Sequence, residues 1–105
     1  WKKGMWLGGE WYGGEWIFGH WEKGTWHDGT WYNGYWHGGK WRDGVWLDGT
    51  WNTGVWLDGV WKGGKWNDGT WLGGTWESGK IYDHSLDDYV ESKVSPREFE
   101  KKKKY

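Results

Sequence analysis

The chain has 105 residues, a formal net charge of −1, 16 Trp, 21 Gly, one Pro and no Cys. Its length sets one domain as the expectation, and the lack of Cys excludes a disulfide framework and thiolate metal sites. Residues 1–80 carry 8 basic and 9 acidic side chains and residues 81–105 carry 6 of each, so charge favours neither nucleic acid nor a mimic of it.

No apolar run is long enough to span a bilayer or to form the apolar core of a signal peptide. Val, Ile, Leu and Met are few and irregularly placed, so a regular core must be built from Trp. The chain opens on Trp1, in register with the later Trp and without Met, which reads as a processed product or a piece of something longer.

From Trp1 to Trp76 a Trp stands at every fifth position, with a Gly two places before each one from Trp6 onward. The unit is W-x-x-G-x, in 16 copies over residues 1–80. An α-helix fits badly, because a five-residue step spirals around a turn of about 3.6 residues and places Trp on every face. A disordered linker would leave the indoles in water. Short extended segments joined by Gly-containing bends remain. In Gly29-Thr30-Trp31-Tyr32-Asn33, alternation puts Gly29 and Trp31 inside and Thr30 and Tyr32 outside. Pairs such as Asp28-Gly29, Asn33-Gly34 and Gly38-Gly39 favour bends with positive φ. A meander would need many strands far shorter than usual, so coiling is preferred, each short side pairing with the coils above and below.

This beat, with a large apolar centre and a small residue two places before it, resembles the pentapeptide repeat proteins over residues 1–80. The resemblance implies an all-β, right-handed quadrilateral β-helix with four repeats per 20-residue coil, hence about four coils. Here the centre is Trp and the small residue Gly, so a larger ring is offset by a missing Cβ. The string DGTW recurs at 28–31, 48–51 and 68–71, a spacing of 20, although coincidences at other multiples of five are as frequent. The expected core is Trp6, Trp11, Trp16, Trp21, Trp26, Trp31, Trp36, Trp41, Trp46, Trp51, Trp56, Trp61, Trp66, Trp71 and Trp76. Each buried indole N–H is expected to reach a backbone carbonyl near a Gly corner.

After Gly79 the beat fades, and residues 81–105 read as a separate cap. Ser85-Leu86-Asp87-Asp88 and Ser95-Pro96-Arg97-Glu98 both look like helix starts, so helices are expected near 86–93 and 96–104. Ile81, Leu86, Tyr89, Val90 and Phe99 would cover the open Trp end. Lys101–Lys104 reads as a solvated helix end. No N-terminal cap is visible, so self-association through that end is an expected route to assembly.

The polar positions offer little chemistry. On a four-sided coil His20, His27 and His37 fall on different faces and His84 in the tail, so they read as isolated surface imidazoles rather than ligands. Asp28, Asp48 and Asp68 would share a column, each capping its own bend. Lys2, Glu22, Arg42 and Lys62 would share another, as a solvated ladder. The serines have no adjacent His, and the Gly spacing is not that of a phosphate loop. No catalytic, metal or cofactor set is expected. Tyr12, Phe18, Tyr32 and Tyr35 place extra aromatics outward, where they pair between rungs or bind a sugar or a protein.

The expectation is therefore a non-enzymatic structural rod, part of a fibre, virion appendage or surface assembly, with a virion or extracellular setting. A carbohydrate- or protein-binding module is the alternative. Some pentapeptide repeat proteins mimic DNA and inhibit topoisomerases, a third reading that near-zero charge disfavours. Protein partners are expected, glycan is the alternative, and neither membrane nor nucleic acid is expected.

Overall fold

A computed structural model describes residues 4–103, and the side chains of 4–101. Fifteen two-residue strands, β1 (Met5–Trp6) to β15 (Thr75–Trp76), recur every five residues, each ending on a Trp. Two four-residue strands come next, β16 (Lys80–Asp83) and β17 (Asp88–Glu91), and then one helix, α1 (Pro96–Lys103). The chain is a β-solenoid with the Trp inside.

The coil is shorter than the resemblance implied. Parallel pairing joins Trp6 to Trp21, Trp21 to Trp36 and Trp36 to Trp51, a step of 15 residues. The strands accordingly form three sheets, ordered β1-β4-β7-β10-β13-β16-β17, β14-β11-β8-β5-β2 and β15-β12-β9-β6-β3. The rod is three-sided, with about five coils instead of four. Each side of a coil carries two backbone hydrogen bonds to the coil before it. His20 N–H donates to Gly4 O (2.8 Å) and Glu22 N–H to Trp6 O (2.8 Å), and the same pair recurs up the rod.

Indole geometry accounts for three sides. Vertically, Trp rings stack at 4.7–5.1 Å between centroids and within 4–9° of parallel. Successive Trp meet edge to face at 5.6–5.9 Å and 70–81°. Rings in contact at about 3.5 Å on rungs about 4.8 Å apart must tilt by roughly 43°. Three such planes around a three-fold turn meet at about 73°, and four around a four-fold turn at about 58°; aromatic pairs favour the more perpendicular meeting.

The core is continuous. Trp16 to Trp61 are 0% exposed, while Trp66, Trp71, Trp76 and Ile81 stay below 9%. Trp6 and Trp11 in the first described coil are half-buried.

From Trp21 to Trp61 the expected indole bonds to corner carbonyls are not formed. Trp11 Nε1, and Nε1 of Trp21, Trp26, Trp31 and the others through Trp61, is buried with no hydrogen-bond partner. That edge faces the corner Gly of the next coil: a Cβ built on Gly44 would lie 3.2 Å from Trp26 Nε1. The corner carbonyls are already taken, each accepting a ladder N–H from the next coil, as Gly29 O does from Val45. Trp76 is different, because its N–H reaches Ser92 O at 2.9 Å beyond the last coil.

The corner Gly all have positive φ, from 98° to 145°. Each stacks on the Gly 15 residues earlier so closely that a built Cβ would fall 2.3–2.5 Å from that carbonyl oxygen at most positions from Gly19 to Gly74. Asp28, Asp43, Asp48, Asp58, Asp68 and Asn33 each accept the N–H of the following Gly at 2.8 Å, as self-capped bends. The 15-residue step changes which of them are neighbours. Asp28, Asp43 and Asp58 share one corner, while Asp48 and Asp68 stand on the others. Likewise Lys62 lies beside Glu77 (3.7 Å), and Glu22 and Arg42 belong to other columns.

The helix expected near 86–93 is a hairpin instead. β16 pairs antiparallel with β17, Ile81 opposite Val90 and Tyr82 opposite Tyr89. Ser85 does not cap a helix: its N–H and hydroxyl both bond Asp83 Oδ1, at 3.0 and 2.6 Å, forming the turn. Asp87 closes that turn at φ 54°, and Tyr82 donates its hydroxyl to Asp87. Leu86 sits at the tip, 64% exposed, and covers nothing. β16 extends the first sheet, so Ile81 continues the Trp66 column. Tyr89 and Val90 are half-buried on β17.

The second helix forms where its cap signal lies. Ser95 Oγ accepts the Glu98 N–H at 3.3 Å and Pro96 opens the first turn. Phe99 packs on the core and α1 on β14. Its expected last residue, Lys104, lies outside the described residues.

Candidate functional site

Residues on either side of each Trp point outward, and the 15-residue step sets which of them meet. A residue just before Trp in one coil lies diagonally beside the residue just after Trp in the next, 17 positions on. Three contacts of this kind decorate the three sheets.

On the second sheet Glu10 meets His27 at 3.1 Å. Tyr12 stacks on His27, with centroids 4.7 Å apart, and donates its hydroxyl to Glu10 at 2.9 Å. The hydrogen bonds from His27 and Tyr12 hold the Glu10 carboxyl below its usual value, and the same bond raises the Tyr12 phenol. On the third sheet Tyr32 donates to Glu15 at 2.5 Å, which raises its own pKa in turn.

The first sheet carries the densest set. His20 precedes Trp21 on β4, Glu22 follows it, and His37 follows Trp36 on the next rung. His20 Nδ1 lies 2.9 Å from His37 Nε2, and His37 Nε2 lies 3.6 Å from Glu22 Oε2. One ligand atom from each of the three falls within 4.8 Å of the others. All three are half-buried. Tyr35 stacks on His20 at 4.9 Å and 19°, and Phe18 meets Tyr35 edge-on at 6.4 Å.

A polar ladder leads away from His37. Asn52 Nδ2 lies 2.9 Å from His37 Nδ1, Asn67 Nδ2 donates to Asn52 Oδ1 at 2.8 Å, and Tyr89 donates its hydroxyl to Asn67 Oδ1. Lys65 lies over the Tyr89 ring at 5.0 Å. With Asn52 donating to Nδ1, the proton of the neutral His37 ring sits on Nε2, facing His20 Nδ1. The ladder therefore runs in one direction from the cap hairpin to His20.

The isolated-imidazole reading is thus overturned for His20 and His37, which share one cluster. His27 pairs with a carboxylate, and His84 stands at the hairpin against Tyr82. The four outward aromatics do not form one patch. Phe18 and Tyr35 meet, while Tyr12 and Tyr32 stand on the other two sheets. Neither the His pair nor the Asn ladder was legible without the coil length, because a 17-residue spacing means nothing until the step is known to be 15. No helix among the described residues is long and apolar enough to cross a membrane. No family model, no curated protein and no solved structure matches the chain.

Proposed function

We propose that this chain is a non-enzymatic structural element, a rigid Trp-cored rod or spacer in a fibre, a virion appendage or a surface assembly. The supporting observation is the unbroken indole stack. From Trp21 to Trp61 every core position is the same residue, fully buried, in face contact above and below and in edge contact sideways. Such a core resists bending, because any hinge must separate flat rings and two ladder bonds per side at once. The free positions vary from unit to unit while Trp and Gly do not, a pattern suited to a part valued for its shape. The five-residue beat supports kinship with pentapeptide repeat proteins, as a three-sided, Trp-centred form.

Assembly through the first coil is part of this reading. The hairpin and α1 cover the opposite end, so pairing of two copies in this reading runs through their first described coils. Small-angle scattering with light scattering tests both points. The expected outcome is a rod whose profile, set by principal extents of 41 × 23 × 19 Å, is unchanged on warming until the unfolding transition, together with a dimer population that grows with concentration. A profile that shows bending well below that transition would overturn the rod, and a strict monomer at all concentrations would remove the pairing.

A binding module is the second reading. Met5, Leu7, Tyr12, Ile17 and Phe18, each 42–69% exposed, gather in the first described coil. A glycan array and a pull-down with the Phe18→Ser/Tyr12→Ser double variant as control separate sugar from protein partners.

A further inference from the structure

His20, Glu22 and His37 are not needed for a Trp-cored rod, yet they converge. We propose that His20 Nδ1, His37 Nε2 and the Glu22 carboxylate hold one divalent first-row transition cation of the zinc class, with a fourth position open to solvent. Two imidazoles and one carboxylate are a donor set suited to such ions, in contrast to the all-oxygen sets of calcium and magnesium.

The spacing fits. Donors on a tetrahedral zinc at about 2.0–2.1 Å lie roughly 3.3–3.4 Å from one another. The gaps are 2.9 Å between the two nitrogens and 3.6 Å from His37 Nε2 to Glu22, with all three donors within 4.8 Å of one another, so side-chain rotations without backbone movement bring the donors onto a common ion. The side chains are also held in place. His20 and Glu22 flank the buried Trp21 that ends β4, and His37 follows the Trp stacked directly on it. Tyr35 lies over the His20 ring, Phe18 supports Tyr35, and Asn52 engages the far nitrogen of His37. Ligands on rigid elements with supported rotamers need little reorganisation to bind.

Binding has a consequence further along the rod. A cation on His37 Nε2 moves the proton of that neutral ring to Nδ1, with no net proton released from it. Nδ1 then needs an acceptor, so Asn52 must turn Oδ1 toward it. Asn52 Nδ2 would then donate to Asn67, and Asn67 to Tyr89, reversing the ladder up to the cap hairpin.

The test titrates the full untagged chain with Zn2+ by calorimetry and follows imidazole nitrogens and Asn side-chain amides by NMR. One ion per chain is expected, with His20 and His37 nitrogens shifting and His27 and His84 unchanged. The side-chain amides of Asn52 and Asn67 should shift with them. His37→Gln and Glu22→Gln should weaken binding while leaving the unfolding midpoint of the ion-free protein within a degree or two of the parent. Asn52→Leu should weaken binding by about 10- to 100-fold, whereas Asn52→Asp, whose carboxylate accepts from Nδ1–H, should tighten it. Absence of zinc binding in the unmodified chain, movement of His27 or His84 in place of the pair, or unchanged affinity in His37→Gln would overturn the site. An Asn52→Asp variant that binds no more tightly would overturn the ladder coupling.

Discussion

At the scale of single residues, two adjacent glycines in one corner do different jobs. Gly39 has φ 108°, and a Cβ built on it would sit 2.3 Å from Gly24 O. Gly38 lacks the positive φ, and its built Cβ meets Glu22 O at 3.5 Å, an ordinary contact. Gly39→Ala is therefore expected to cost more than about 1–3 kcal/mol, since backbone strain of that size is joined by a clash. Gly38→Ala should be neutral or stabilise by up to about 1 kcal/mol, through a less flexible unfolded chain. Denaturant midpoints of the two variants distinguish them.

Titration belongs to this scale too. The folded Glu10 carboxyl is depressed from 4.5 by hydrogen bonds from His27 and Tyr12, so its small contribution is present above the ordinary carboxylate value and lost as pH falls through the folded one. Tyr12 and Tyr32 are raised from 10.0 by their bonds to Glu10 and Glu15. Their contributions are present below that value and lost as pH rises through the folded one. NMR titration should show both phenols ionising late, and Glu10→Gln should return Tyr12, but not Tyr32, toward 10.0.

At the scale of elements, the units are too short to be stable alone, and each two-residue strand is held by its neighbours, two inside a sheet and one at its end. Trp46 sits fully buried in a middle coil, stacked on Trp31 and Trp61. Trp46→Ala should cost about 3–5 kcal/mol or more, because the rigid stack cannot collapse into the cavity. In the cap, Ile81→Ala should cost about 2–5 kcal/mol, while Leu86→Ser at the exposed hairpin tip should stay within about 0.5 kcal/mol. Equilibrium unfolding of the two separates a hairpin from the helix that the Ser85 signal suggested. That signal misled because Ser after Asp83 makes an Asx-type turn as readily as a helix cap. The alternation in Lys80–Asp83 and Asp88–Glu91, four residues each about a four-residue loop, was the competing cue.

At the scale of the molecule, stability is close to a sum over coils and the interfaces between them. Amides in the middle rungs, such as Val45, Leu47 and Thr50, each bonded to the coil before, should exchange slowest. Those of the first described coil should exchange faster by orders of magnitude, as fraying ends do. Uniform protection along the whole rod, measured by hydrogen exchange, would show instead that the array opens only as one unit.

Much of this was legible in the residues alone. The five-residue beat, the inward Trp, the bends at positive φ and the Ser95 helix start derive from period, side-chain size and local hydrogen bonding, which are properties of neighbours in sequence. The number of sides does not derive from them, because a five-residue corner is compatible with three turns or four. Tilted indoles stacked on a β-ladder rung meet more nearly edge to face around a three-fold axis, and that is a contact between residues 15 apart. The choice of three sides then decides everything on the outside: Asp28 lies near Asp43 and not Asp48, Lys62 beside Glu77, and His20 beside His37. The sequence by itself determined what is inside this protein, and only the tertiary structure decided which outer residues meet, because the core pattern repeats every five residues while neighbours across the surface depend on the length of the coil.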